Sequence, residues 1–147
     1  MKKYVLDTNI FIRGFRNEEE NRRLQEFHYS NAPSEYLSSV VVQELRAGIR
    51  NKQDLHALER HVLNPFIRRE RVIFPSAKAW EASGDVLARL AQEEHLELSK
   101  LGKSFGNDLL LALSCLESGA VLVTENLKDF ERIARIKSFR FTDAWPD

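Results

Sequence analysis

Residues Lys3–Asn9 read Lys-Tyr-Val-Leu-Asp-Thr-Asn. A short apolar run that stops at an acid is a buried strand with a carboxyl group at its end. Further short apolar runs follow along the chain. Tyr36–Ser39, Arg71–Phe74 (closed by Pro75), Val121–Thr124 and Phe139–Phe141 read as four further strands. Helices fall between them. Asn17 followed by Glu18–Glu20 caps a helix to about Tyr29, and Pro33 ends that unit. Ser38 or Ser39 can cap a helix that stops near Gly48. Gln53–Phe66 places Leu55, Leu58, Val62 and Phe66 at three- and four-residue steps, as one amphipathic helix does. Ala77 to about Glu94 should turn Trp80, Leu87, Leu90 and Ala91 inward. Leu98–Gly106 reads as a loop, Asn107–Glu117 as a helix buried nearly all round, and Leu127–Ile136 as a short helix. Strands that are continuously apolar and alternate with helices predict an α/β fold: a parallel sheet flanked by α-helices.

The 147 residues fit one domain spanning residues 1–147, against roughly 100–200 residues for a typical domain. With 43% apolar and 30% charged residues the chain is expected to be globular rather than disordered. Lys and Arg (22) balance Asp and Glu (22), so any nucleic-acid contact must come from local patches. The lone Cys115 excludes an internal disulfide framework and a cysteine-rich zinc site. Its apolar run, Leu109–Leu116, is eight residues long and too short for a bilayer. Asp7 interrupts the apolar core that a signal peptide needs, so the expectation is a cytoplasmic protein without membrane contact.

Acids at strand ends and helix starts carry the functional information, because ligands of open α/β sheets bind at the carboxyl ends of the strands. Each acid also has an ordinary reading. Asp7 can cap the helix that begins at Thr8, and Asp108 can face the dipole of its own helix. Asn126 and Asp129 have the spacing of a cap and its reciprocal acid. Glu44 is harder to explain in this way. On a helical wheel Gln43, Arg46 and Arg50 share the wet side, while Glu44 stands alone among Val40, Val41, Ala47 and Gly48. Three carboxylates from separate segments with no arginine of their own point to a hard cation with oxygen ligands.

The ordered set resembles the PIN-domain ribonucleases, and more narrowly the VapC toxins. It comprises the strand with Asp7-Thr8-Asn9, Ser39 with Glu44-Leu45 and Gly48, Asp108 before an apolar helix, Leu122-Val123-Thr124-Glu125-Asn126, and Asp129-Phe130. The likeness runs from about Lys3 to Trp145. It implies a parallel sheet with an acidic site at its carboxyl edge, and Asp7, Glu44 and Asp108 as catalytic, metal-binding acids. It further implies Mg2+ or Mn2+ as cofactor, RNA as substrate, an antitoxin partner and a homodimer. Thr8, Asn9 and Thr124 would support the carboxylates. Many PIN domains carry a fourth acid where this chain has Asn126; Asp129 would reach the site through water at most.

Lys100 and Lys103, with Arg46, Arg50 and Arg13, are the candidates for holding an RNA backbone. None of the four histidines is placed as a general base, and all are expected to be solvated. His56 and His61 face different ways on one helix, while His28 and His95 lie near helix ends. Three other readings stand beside the nuclease toxin: a non-catalytic PIN-like module, a PIN nuclease of RNA processing without an antitoxin, and a phospho-accepting receiver domain. The last needs paired acids near the first strand, where only Asp7 stands.

Overall fold

The computed structural model describes residues 2–95 and 97–146, apart from the side chain of Lys103. The chain opens with β1 (Lys3–Leu6), α1 (Thr8–Arg16), α2 (Glu18–Asn31), β2 (Glu35–Ser38) and α3 (Ser39–Ala47). It continues through α4 (Lys52–Leu58), a π-helical turn (Glu59–Leu63), α5 (Asn64–Arg68), β3 (Val72–Ile73) and α6 (Ala77–Glu93). After a 3-10 turn (Leu98–Lys100) come α7 (Lys103–Ser118), β4 (Ala120–Val123), α8 (Leu127–Ile136) and β5 (Phe141–Thr142).

The strands form one parallel sheet in the order β3-β2-β1-β4-β5. From β1 the chain winds outward to β2 and β3, then crosses back to build β4 and β5 on the other side. The strand order therefore reverses between β1 and β4, whose register runs from Lys3↔Ala120 to Leu6↔Val123. A crevice opens at the carboxyl ends of two strands that diverge in this way.

Local chemistry explains most of the helix starts. Asp7, Asn17, Ser38, Asn51 and Ser76 each accept a backbone N–H with the side chain. Helix α7 is the central support: every residue from Asp108 to Cys115 is buried, and the helix packs against α3, α6, α8 and β4. It ends at Gly119, whose φ of 69° suits a residue without a Cβ.

Four expectations are corrected. Helix α7 begins at Lys103, so Asp108 lies in its second turn, too deep to serve the helix dipole. The stretch 53–66 is not one regular helix. Pro65 has no N–H for the ladder, and the π-helical turn before it lets Leu58 and Leu63, five residues apart, both face inward. On α6 the inward stripe is Ala79, Ser83, Val86 and Leu90, which leaves Trp80 one position off it and 59% exposed. Ala47 and Gly48 are exposed as well, so the sector around Glu44 is only half apolar.

Phe130 of α8 is fully buried and meets the rings of Phe139 and Phe141 at 6.0 and 6.4 Å. These contacts fasten α8 and β5 to the sheet beside β4. Phe130→Ala should cost about 3–5 kcal/mol and lower the melting temperature by about 10 °C or more. Thermal unfolding followed by circular dichroism checks this.

Candidate active site

Asp7 leaves β1 with its N–H donating to the Val123 carbonyl, which holds it at the reversal point of the sheet. Its side chain is 3% exposed. Three donors converge on it: the Thr8 N–H at 2.7 Å, the Thr124 hydroxyl at 2.8 Å and the Asn9 amide at 3.2 Å. Capping α1 and facing the crevice are therefore one arrangement, since one carboxyl oxygen caps while the other meets Thr124 and Asn9. Thr124 completes the link by accepting the Asn126 N–H at 3.0 Å, and Asn9 accepts the Glu125 N–H at 3.3 Å.

Glu44 arrives from α3 and accepts the Thr8 hydroxyl at 2.7 Å. Asp108 arrives from the second turn of α7 and is 7% exposed. Asp129 faces the same group from α8. Asn126 does not act as the expected side-chain cap. Its amide instead donates to Asp108 at 3.2 Å and to Asp129 at 3.1 Å, bracing the two carboxyls apart.

The charges are left uncompensated. Among the described residues none of Asp7, Glu44, Asp108 and Asp129 forms an ion pair with Lys, Arg or His. Burial raises the Asp7 pKa above its ordinary value, against the hydrogen bonds from Thr124, Thr8 and Asn9, and the charge of Glu44 adds to the rise. Asp108 is pushed up to about 8, first by burial and then by the charges of Asp7, Glu44 and Asp129, with only Asn126 pulling the other way.

The donor set fits a hard divalent cation. Every side chain facing the cluster offers oxygen or stands behind one that does. Among the described residues no three His, Cys, Asp or Glu side chains form a ready-made cage. A cation that keeps several waters and takes one or two carboxylates needs none.

The basic candidates are less distinctive. Arg46 pairs with Glu59 at 3.1 Å, Lys100 with Glu97 at 3.6 Å, and Arg13 with Glu125 and Glu20. Arg50 is exposed, and the Lys103 side chain lies outside the described residues. His56, His61 and His95 are exposed as expected, but His28 is not free in water: it is half-buried against Glu35. Reading the sequence missed Glu35. The one signal was a Glu in register with Leu37 on the inward side of a strand.

An α/β sheet that gathers unpaired carboxyls at its reversal point defines a class of protein with an oxygen-donor site at the strand ends. The particular family follows from comparison: the PIN domain matches residues 4–136, and the chain belongs to that family, among the VapC ribonucleases. It is 32% identical over 139 residues to ribonuclease VapC2 of Haemophilus influenzae, covering 94% of this chain and 97% of that one. It is 29% identical over 139 residues to the tRNA(fMet)-specific endonuclease VapC of Shigella flexneri, with the same coverage of both chains. Its fold is similar to that of the DNA-bound VapBC complex from Salmonella typhimurium, with a TM-score of 0.71 and 29% identity over 97% of this chain and 98% of that one.

The Asp108 pKa in the folded protein lies above its unfolded value of 3.8. Its contribution to stability is therefore complete below about pH 4 and is lost as the pH rises through about 8. In metal-free buffer Asp108→Asn should match or trail the native protein at acidic pH. At alkaline pH it should melt about 5 °C or more higher. Melting curves across that range check the crossover.

Proposed function

We propose that this protein is a Mg2+- or Mn2+-dependent endoribonuclease that hydrolyses RNA phosphodiesters, the toxin half of a toxin–antitoxin pair. The observation that carries the reading is the convergence of Asp7, Glu44, Asp108 and Asp129 without a cation of the chain's own. Kinship with VapC ribonucleases and with a VapBC complex supports the RNA substrate and the antitoxin. Among the described residues no helix is long and apolar enough to cross a membrane. The family likeness favours a cytoplasmic homodimer.

Asp7, Glu44 and Asp108 would hold the metal ion. When bound, it supplies positive charge for the phosphodiester oxygens and lowers the pKa of its coordinated water. The chain's own residues do the positioning. Thr124, Asn9 and the Thr8 N–H fix the Asp7 carboxyl, and the Thr8 hydroxyl fixes Glu44. Asn126 keeps Asp108 and Asp129 from closing on each other and orients both. No histidine is in place to take a proton, so the acids and water carry the proton traffic. The same excess of negative charge suits a guanidinium from an antitoxin tail, whose fork binds carboxylates in pairs.

Purified protein incubated with total RNA should cleave it with Mg2+ or Mn2+ and stop in EDTA. Undiminished cleavage in chelator, in a preparation free of other nucleases, would overturn the metal-dependent reading.

Glu44→Gln should abolish cleavage while leaving the fold intact. It keeps an acceptor for Thr8 and removes one of the charges that raise Asp108. A lowered melting temperature in metal-free buffer would assign Glu44 a structural role instead.

A further inference from the structure

The acids of the crevice are joined by one short turn. Residues 124–126 link β4 to α8, and carboxyls from three elements lean on them. The Thr124 hydroxyl donates to Asp7, while the Asn126 amide donates to Asp108 and Asp129. The turn must therefore be held at a set place. Helices α1 and α3 start on the side-chain caps Asp7 and Ser38, which fix how the chain enters them. The start of α8 has no side-chain cap hydrogen bond; the Asn126 amide is turned to the acids instead.

What holds the turn comes from α1. Asn9 and Arg13 stand four residues apart, on one face of that helix. Both reach Glu125 in the middle of the turn. Asn9 accepts its N–H at 3.3 Å, and the Arg13 guanidinium donates to its carboxylate. The other arm of the guanidinium pairs with Glu20 of α2 at 3.4 Å.

Glu20 is a fixed post. It is half-buried, and its N–H donates at 3.0 Å to Asn17, the residue that closes α1 and caps α2. Next to Arg13, Gly14 lies so near Leu24 of α2 that a Cβ there would come within 2.7 Å of it. The two helices are packed as one unit, and Arg13 reaches from that unit to the turn. Arg13 and Glu125 are both exposed, and exposed ion pairs add little to stability. What this pair determines is position. Nor is the guanidinium a free cation offered to a phosphate: Glu125 and Glu20 occupy it, and the charge of Asp143 also acts on it.

We propose that Arg13 is a positioning residue of the active site: through Glu125 it holds the 124–126 turn against α1, and so sets the carboxyls of Asp7, Asp108 and Asp129 without touching RNA. The effect on cleavage rests on the ribonuclease reading, and the placing of the turn does not.

The test compares Arg13→Ala, Arg13→Lys, Glu125→Ala and the Arg13→Ala/Glu125→Ala double variant in the full-length protein. In metal-free buffer without RNA, nuclear magnetic resonance follows the backbone and side-chain amides of Asn126. Arg13→Ala should shift both and speed exchange of the Glu125 N–H about threefold or more, while the amides of Val5 and Leu24 stay as they are. With Mn2+ and RNA, Arg13→Ala should lower kcat about tenfold and leave KM within about twofold. Glu125→Ala should do the same, and the double variant should lose no more than either, as residues that act through one contact do. Arg13→Lys keeps a charge for one carboxylate and should recover part of kcat. Melting temperatures should change little in every variant, because both side chains lie on the surface. The amide measurements need neither metal nor RNA, so they decide the proposal even where the native protein cleaves nothing. Asn126 amides unmoved by Arg13→Ala, an unchanged kcat, additive losses in the double variant, or a rise in KM alone, which would make Arg13 an RNA contact, would each overturn it.

Discussion

The site depends on a single constraint: the Asp7 carboxyl is buried where the strand order reverses. Burial makes its charge costly, and the surroundings answer with donors rather than with a cation. Each donor comes from a different structural commitment. The Thr8 N–H is the open end of α1, Asn9 is one residue further along it, and Thr124 follows Val123, the β4 residue in register with Leu6. Slipping β1 against β4 by one residue would move Thr124 away from Asp7 and exchange the two packed faces on which Tyr4, Val5 and Leu6 are buried. The fold and the site therefore share one register.

Much of this was legible in the residues. Lys3–Leu6 and Leu127–Ile136 fall where their patterns place them, and Asn17 and Ser38 cap as their side chains dictate. Strand ends moved by a residue or two, because hydrogen-bond partners and not composition decide where pairing stops. The larger departures have physical causes that a single segment does not carry. Pro65 forces a π-helical turn whose five-residue step no helical wheel anticipates. Trp80 lies off the inward stripe because α6 is oriented by Val86 and Leu90 against its neighbours, not by its largest ring. Gly102 starts α7 a turn before the Leu-rich run, and so Asp108 sits inside the helix.

That shift changes what kind of group Asp108 is. A carboxyl on a loop can swing away from like charges. One in the second turn of a helix buried from Asp108 to Cys115 cannot, and its pKa of about 8 records first its burial and then the repulsion from the neighbouring carboxylates. Sites carried on rigid elements hold their geometry at a cost in stability. The acids here follow that pattern: Asp108 is anchored in α7, Glu44 in α3 and Asp7 at the end of the central strand. Asn126 and Thr124, which brace them, lie in the turn between β4 and α8.

Asn126 shows how such a cluster is kept within bounds. An acid at this position would add a charge beside Asp108, where burial and three carboxyls already act in the same direction. The amide does the opposite. It donates to Asp108 and to Asp129 at once, and its bond to Asp108 lowers that pKa. Its own N–H is held by Thr124, which in turn donates to Asp7. One neutral residue thus ties the carboxyl of β1 to those of α7 and α8 through a chain of donors without adding charge. Under the metal-dependent reading, this replaces a possible ligand with a positioning residue and concentrates metal binding on Asp7, Glu44 and Asp108.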